Sequence, residues 1–317
     1  MDKRRDAVPV GITGASGFLG GHVARHLSSR GFAVHPLSRS PAQVADARLL
    51  PSPHAPEADF HAAMRGLDAI VHCAALNNDR SADAQALVAS NVDLTRRLAE
   101  AAMREGVTRF VYISSIRAVA DPGIDVAIDD ETVPAPSQPY GRSKRDGELA
   151  ALAAAAPGFT PLVLRLPPVY GAGMRGNLGL LLRLARTPAP LPLAGLSARR
   201  SLVSSDAAAR AVETLLVAAT PARSIYLASD AAPVSIPEIL SAFRRGLGRP
   251  PRLLAVPEAL LATAAALAGR RADWAALTAS QTCNPASLVA EGWTPDPDSL
   301  TGLERLAAAL RAPAHRG

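Results

Sequence analysis

The strongest constraint on this chain is the stretch from Val10 to Gly20, "VGITGASGFLG". An apolar run ends in glycines at 14, 17 and 20, and a helical pattern follows through Arg30. This pattern predicts a buried strand, a tight turn and a helix whose N-terminus faces outward. Gly14 allows the turn, Gly17 allows backbone to approach an anion, and Gly20 allows close helix–strand packing. Ser16, Phe18 and Leu19 fill the intervening positions. The arrangement predicts dinucleotide binding, with a glycine-rich turn lacking any ligand as the plainer alternative. Its spacing differs from the commoner G-x-G-x-x-G.

The rest of the first half repeats the same grammar. Short apolar runs, "FAVHPLS", "AIVHCAA", "RFVYISS" and "PLVLRLP", alternate with helix-length segments such as "NVDLTRRLAEAAMREG". That alternation predicts a Rossmann-type, doubly wound parallel α/β sheet. Pro9 is acceptable in a central strand only at its first residues, where no ladder donor is needed. After Arg165, Pro and Gly thicken, and helices are expected near 206–219, 235–247 and 257–268. The expected division is a dinucleotide-binding part over 1–169, with 203–228 returning to it. A smaller, mostly helical substrate-binding part would occupy 170–317. The last residues, 312–317, are expected to fray.

Three further features fall on one rim of such a sheet. The second strand ends at Ser38 and Arg39, where an acidic residue would hold an adenosine ribose diol. A hydroxyl and a guanidinium suit a 2′-phosphate instead, so NADP is favoured over NAD. The "HCAA" strand ends in Ala74 and Ala75, small enough for a cofactor to lie close. "YISS" places Ser115 at a carboxyl end, where ligands of open α/β sheets bind.

Tyr140 and Lys144, in "YGRSK", lie one helical turn apart and share a face. An exposed tyrosine beside a solvated lysine would look the same in isolation. Beside a nicotinamide the pair has a chemistry. A tyrosine ordinarily titrates near about 10, too high for a base at neutrality. A neighbouring ammonium favours the phenolate. Ser115 would hold a substrate oxygen, Tyr140 would exchange its proton, and Lys144 would grip the nicotinamide ribose.

Composition narrows the remaining classes. A charge of +6 comes from 34 Lys+Arg against 28 Asp+Glu, and the arginines are scattered through the chain. No basic run marks a nucleic-acid or membrane partner. Two cysteines, Cys73 and Cys283, supply neither a disulfide framework nor a metal cluster; Cys73 reads as a core residue. The N-terminus passes from charge directly into a strand with no secretory core, which sets a cytoplasmic expectation. The stretch "ALLATAAALAG" from Ala259 is too short to span a bilayer and reads as a buried helix.

In these motifs the chain resembles the extended short-chain dehydrogenase/reductases, in their nucleotide-sugar epimerase/dehydratase branch. "TGASGFLG", "HCAA", "NVDLT", "FVYISS", "YGRSK", "LRLPPVYG", "RRSLVSSDAA" and "EGWTPD" carry the resemblance over nearly the whole chain. "FVYISSIRAV", "LPPVYGAGMRGN" and "RRSLV" look most like bacterial reductases of UDP-4-keto-6-deoxy-N-acetylhexosamines. The resemblance implies catalytic roles for Ser115, Tyr140 and Lys144. It also implies contacts of Asn177 and Arg200 with a nucleotide diphosphate, and a possible homodimer through helices of the sheet domain. Asn91 reads as an N-cap that could also support the site.

The departures are specific. A proline stands where the family often has an adenine-binding Asp, and Asp59 lies later. Val119–Ala120 replaces a common Tyr-Gly, and Pro167–Pro168 replaces a common Asn. Both weaken a UDP-galactose 4-epimerase assignment. The leading expectation is NADP-dependent reduction of a nucleotide-sugar C4 ketone. Alternatives are a UDP-sugar 4-epimerase with tightly held NAD, a reductase of a non-sugar carbonyl, and a non-catalytic dinucleotide sensor.

Overall fold

The computed structural model describes residues 7–41, 44–77 and 83–311. Its strands are β1 (Pro9–Thr13), β2 (Ala33–Ser38), β3 (Arg48–Leu49), β4 (Ala69–His72), β5 (Arg109–Ser115), β6 (Val126–Ile128), β7 (Thr160–Leu166), β8 (Val169–Tyr170), β9 (Val203–Ser204), β10 (Ile225–Leu227) and β11 (Gln281–Cys283). The helices are α1 (Phe18–Ser29), α2 (Glu57–Met64), α3 (Ala84–Val88), α4 (Leu94–Arg104), α5 (Pro139–Leu152), α6 (Gly176–Ala185), α7 (Ser205–Val217), α8 (Ile236–Gly246), α9 (Glu258–Leu267), α10 (Arg271–Thr278), α11 (Ala286–Ala290) and α12 (Ser299–Ala309).

Seven strands make one parallel sheet in the order β10-β7-β5-β4-β1-β2-β3. The chain builds outward in both directions from the β1–β4 pair. A crevice therefore opens at their carboxyl ends, the place where such sheets bind ligands. Pro9 is the first residue of β1, as its missing donor requires.

The central strand β5 is buried except at its two end residues. It is covered on both faces, which is why "RFVYISS" reads as a nearly unbroken apolar run. Phe110 and Tyr112 point to the face holding Phe60, Met64 and Leu98 of α2 and α4. Val111 and Ile113 point to the other, against Val23 and Leu27 of α1 and Val212 and Leu215 of α7. Truncating a residue like the fully buried Phe110 to Ala costs about 3–5 kcal/mol.

A separate apolar core brings Tyr170, Leu182, Leu202, Phe243 and Leu303 together among α6, α8 and α12. α8 begins with a reciprocal cap. Ser235 N donates to Glu238 Oε2 at 2.7 Å, and Glu238 N donates back to Ser235 Oγ at 3.4 Å.

One expectation fails here. The helix over "ALLATAAALAG" forms, as α9, but none of its ten residues is buried. Leu260 and Leu267 are 62% and 86% exposed. Alanine and leucine make the helix by propensity. Apolar character all round, however, does not specify which neighbour covers it, and the nearby core is filled by α6, α8 and α12. The tail 312–317 lies outside the described residues.

Candidate active site

The glycine loop meets its geometric demands. Gly14 has φ +70°, and a Cβ there would lie 2.9 Å from Ala74 N. At Gly20 a Cβ would overlap the Gly14 carbonyl. The N-cap of α1, Gly17, offers no side-chain acceptor, so first-turn N–H groups remain open to an anion.

Gly14, Ser16, Gly17, Ser38, Arg39, Ala74 and Ala75 line one cavity of about 440 Å³. These residues, distant in sequence, share one wall, whereas Leu19, Gly20, Tyr140 and Lys144, also expected at the cofactor, are not among its lining. Leu50, Pro51 and Pro53 also stand in its wall, and Asp59 takes no part in it. Among the described residues, Arg39 is the only charged side chain in the lining, which has no carboxylate. Phe18 lies outside it, packed edge-on against His22 at 5.4 Å between ring centroids. These features fit a dinucleotide: an open helix terminus, a cradle a Cβ would fill, and a cationic end.

Through Ala74 the cavity joins a buried relay whose members lie in "TGASGFLG", "HCAA" and "NVDLT" but whose linkage no motif revealed. Thr13 Oγ1 accepts from Ala74 N at 3.0 Å and sits 2.6 Å from His72 Nδ1. His72 Nε2 lies 3.0 Å from Thr95 Oγ1, which donates to the Asn91 carbonyl oxygen at 2.8 Å. The Thr95 proton is committed to Asn91, so His72 must donate through Nε2 and accept at Nδ1. Burial, followed by the Lys144 charge, pulls the His72 pKa down to about 3 and keeps the ring neutral.

Asn91 corrects the N-cap expectation. Asp83 caps this helical run, its side chain accepting from Gln85 N. Asn91 lies inside a π-helical turn, Ala89–Asp93, between α3 and α4. The turn widens the helix and frees the amide to reach outward. Its Oδ1 accepts from Leu76 N at 2.7 Å, and its Nδ2 donates to Leu76 O at 3.0 Å and Ser143 Oγ at 2.9 Å. Ser143 in turn donates to the Tyr140 carbonyl oxygen at 2.8 Å.

Tyr140 and Lys144 occupy the first turns of α5, both buried. Lys144 Nζ donates to the Ile113 carbonyl oxygen at 2.7 Å and sits 4.1 Å from the centre of the Tyr112 ring. Burial lowers its pKa to about 7, partly opposed by Glu148 and Cys73. Ser115 ends β5 half-buried, its Oγ accepting from Arg117 N at 3.2 Å. Both cysteines are free thiols, pushed up to about 12 by burial.

Two long-range devices hold α5 in place. Asp121 Oδ2 accepts from Ser137 N at 2.9 Å and from the Ser137 hydroxyl, and Oδ1 accepts from Gln138 N at 3.1 Å. Burial works to raise the Asp121 pKa. These hydrogen bonds and the Arg117 charge outweigh it, and the carboxyl sits below its usual range. Further along, Glu148 is buried and bidentate to Arg165 at 2.8 and 2.9 Å, and it accepts from Ser114 Oγ at 2.7 Å. Neither device had a local sequence signal.

Asn177 and Arg200 stand apart from the glycine-loop cavity. Asn177 is exposed in the first turn of α6. Arg200 Nη2 donates to the Leu277 carbonyl oxygen at 2.8 Å, and its Nε is buried without a partner among the described residues. Arg117 donates to Gln281 Oε1 at 2.8 Å nearby. Among the described residues no cluster of His, Cys, Asp or Glu could hold a metal ion.

Residues 10–227 match the NAD dependent epimerase/dehydratase family. The chain belongs to that family. It is an NAD(P)-dependent enzyme of the extended short-chain dehydrogenase/reductase group. It is 29% identical over 255 residues to a UDP-glucose 4-epimerase of Vibrio cholerae, covering 78% of each chain. It is 31% identical over 281 residues to a ceramide reductase of Caulobacter vibrioides, covering 85% of this chain and 79% of that one. Its fold matches the crystal structure of a UDP-N-acetylglucosamine 4-epimerase from Bacillus cereus. There the TM-score is 0.79 at 20% identity, with 96% and 100% of the two chains covered. The family's Rossmann scaffold thus accounts for the sheet order and the crevice.

Proposed function

We propose that the protein is an NADPH-dependent ketone reductase, with the C4 ketone of a nucleotide sugar such as a UDP-sugar as lead substrate. The observation that carries the cofactor choice is the cavity wall around Ser38 and Arg39, cationic and, among the described residues, free of carboxylates. A 2′-phosphate matches that wall, whereas a ribose diol lacks the acidic partner it prefers. NADP(H), when bound, supplies or accepts the hydride.

The chain's own residues do the rest. Ser115 donates to the ketone oxygen and orients it. Tyr140 delivers the proton to that oxygen as the alkoxide develops. Lys144 spends one N–H on Ile113 and keeps two for a ribose hydroxyl. Its charge then favours the tyrosinate left after proton transfer. Residues 170–317, including Asn177 and Arg200, would bind the nucleotide diphosphate. A cytoplasmic location accompanies this reading.

A second reading, reduction of an apolar non-sugar ketone, has its own support. Val119 and Ala120 are buried beside the Ser115 turn, where sugar epimerases often carry Tyr-Gly. One relative of comparable coverage is a ceramide reductase.

The deciding experiment begins by denaturing fresh protein and identifying released nucleotide by mass spectrometry. Stoichiometric NAD would overturn the reductase reading in favour of an epimerase. With an empty or NADP-bearing site, NADPH oxidation is then followed with a UDP-4-keto-6-deoxy sugar and with a long-chain ketone. Turnover of the sugar alone supports the lead substrate, and turnover of the long-chain ketone alone replaces it with the second.

A further inference from the structure

Of the chain's 34 Lys and Arg residues, two are lysines, Lys3 and Lys144. A guanidinium stays charged at any working pH, whereas a buried ammonium takes its proton affinity from its surroundings. At Lys144 those surroundings include a group with no part in the relay described above.

Two consecutive residues of β5 receive the Lys144 Nζ. It donates to the Ile113 carbonyl oxygen at 2.7 Å, and it stands 4.1 Å from the centre of the Tyr112 ring. Tyr112 is fully buried, in the core it shares with α2 and α4. Burial raises its pKa well above the ordinary value, so the phenol is neutral and the ammonium meets a π face. Two neighbours fix the ring. A Cβ at Gly147 of α5 would overlap the Tyr112 hydroxyl and lie 2.9 Å from Cζ, so α5 rests on the ring only because residue 147 has no side chain. The His72 ring packs against it with 5.7 Å between centroids and a tilt of 37°.

The other ionisable groups about the ammonium are Tyr140 and Glu148 on α5, and His72 and Cys73 at the end of β4. His72 is neutral and Cys73 stays a thiol, both because of burial. Glu148 favours the charged lysine, but it shares its own charge with Arg165 at 2.8 and 2.9 Å and with Arg145 at 3.0 Å. The Tyr112 ring is a second group that favours the ammonium against its burial.

We propose that Tyr112 is a positioning residue for the reaction, its ring face holding Lys144 charged and in place beside Tyr140. The inference rests on the part given to Lys144 in proton transfer. It assigns the work to the ring and none to the phenol hydroxyl. Without the ring, the ammonium would give up its proton at lower pH. The ribose would then lose a donor and the tyrosinate its counter-charge.

The test is NMR of the full, cofactor-free chain labelled with ¹³C at the lysine ε carbons. Two lysines give two signals, and Lys144→Met assigns them. Tyr112→Leu should move the Lys144 titration midpoint down by about one pH unit, the worth of one desolvated cation–π contact. Tyr112→Phe keeps the ring and should leave the midpoint where the wild type has it. In NADPH-driven reduction the alkaline limb of kcat/KM should move with the midpoint in the leucine variant and stay in the phenylalanine variant. A midpoint unmoved or raised by leucine overturns the proposal, and so does one moved as far by phenylalanine as by leucine. Should the leucine variant not fold, the ε-methylene protons decide. Beside a ring face they should lie upfield of those of free lysine, in the wild type and in Tyr112→Phe alike, and ordinary shifts would overturn the contact. A protein that reduces no ketone would still show the midpoint shift, which separates failure of the proposed reaction from failure of this inference.

Discussion

Lys144 donates to the carbonyl oxygen of Ile113 at 2.7 Å, so the ammonium is anchored to β5 two residues before Ser115. Buried in that position, it has a pKa lowered to about 7, with burial the leading cause. In the unfolded chain a lysine titrates near about 10.4. Between those values the unfolded state binds more protons than the folded one, so stability rises with pH. The contribution is complete above the unfolded value and is lost as pH falls through about 7. Urea unfolding of the cofactor-free protein should therefore show stability rising from about pH 7 to about pH 10 relative to Lys144→Met. A pH-independent difference between the two proteins would count against a buried, weakened ammonium.

Tyr140 stands one turn before that ammonium on α5. Tyr140→Phe should keep NADPH affinity, read by fluorescence titration, within about twofold while turnover falls roughly 10²- to 10⁴-fold. Near-normal turnover in this variant would remove Tyr140 from the proton-transfer role.

Arg39 is the only charged side chain lining the cofactor cavity among the described residues. Arg39→Asp should raise KM for NADPH about 10- to 100-fold, the worth of one or two charge-assisted hydrogen bonds. NADH should be spared or favoured by the new carboxylate. Equal loss for both cofactors would place Arg39 outside 2′-phosphate recognition.

Asp121 ties the segment after Ser115 to the start of α5 through Ser137 and Gln138. Asp121→Ala should cost about 1–2 kcal/mol in denaturant unfolding, the range of a lost helix cap. It should also lower kcat more than KM for NADPH, because it loosens Tyr140 and leaves the glycine loop intact. A proportional rise in KM for NADPH would assign Asp121 a purely structural role.

His72 links the glycine loop to α4 through Thr13 and Thr95. His72→Leu leaves two buried hydroxyls short of a partner and should cost roughly 2–4 kcal/mol. It should raise KM for NADPH as the loop loses its brace. His72→Asn, which keeps a donor and an acceptor, should recover part of both.

Features carried within one turn of backbone were legible in the chain itself. The strand, glycine loop and helix around Gly14, the Tyr140–Lys144 spacing and Pro9 at a strand's first residue each arise from local sterics and hydrogen bonding. The parallel sheet was legible too, because its buried strands had to be apolar on both faces.

Features made by residues far apart were not legible. Asn91 has the composition of a cap, yet a π-helical turn aims it at Leu76 and Ser143. Asp121 meets α5 across a gap of 16 or 17 positions. The helix over 258–267 announced itself by its alanines and leucines but not its exposure, because coverage depends on which neighbours already fill the core. Arg244, Arg249 and Arg252 form no run in sequence. They become one charged hollow because α8 and the loops at 187–189 and 249–252 close around the same space. Periodicity records what each residue asks of its own turn, and the choice of partner belongs to the packing of the whole chain.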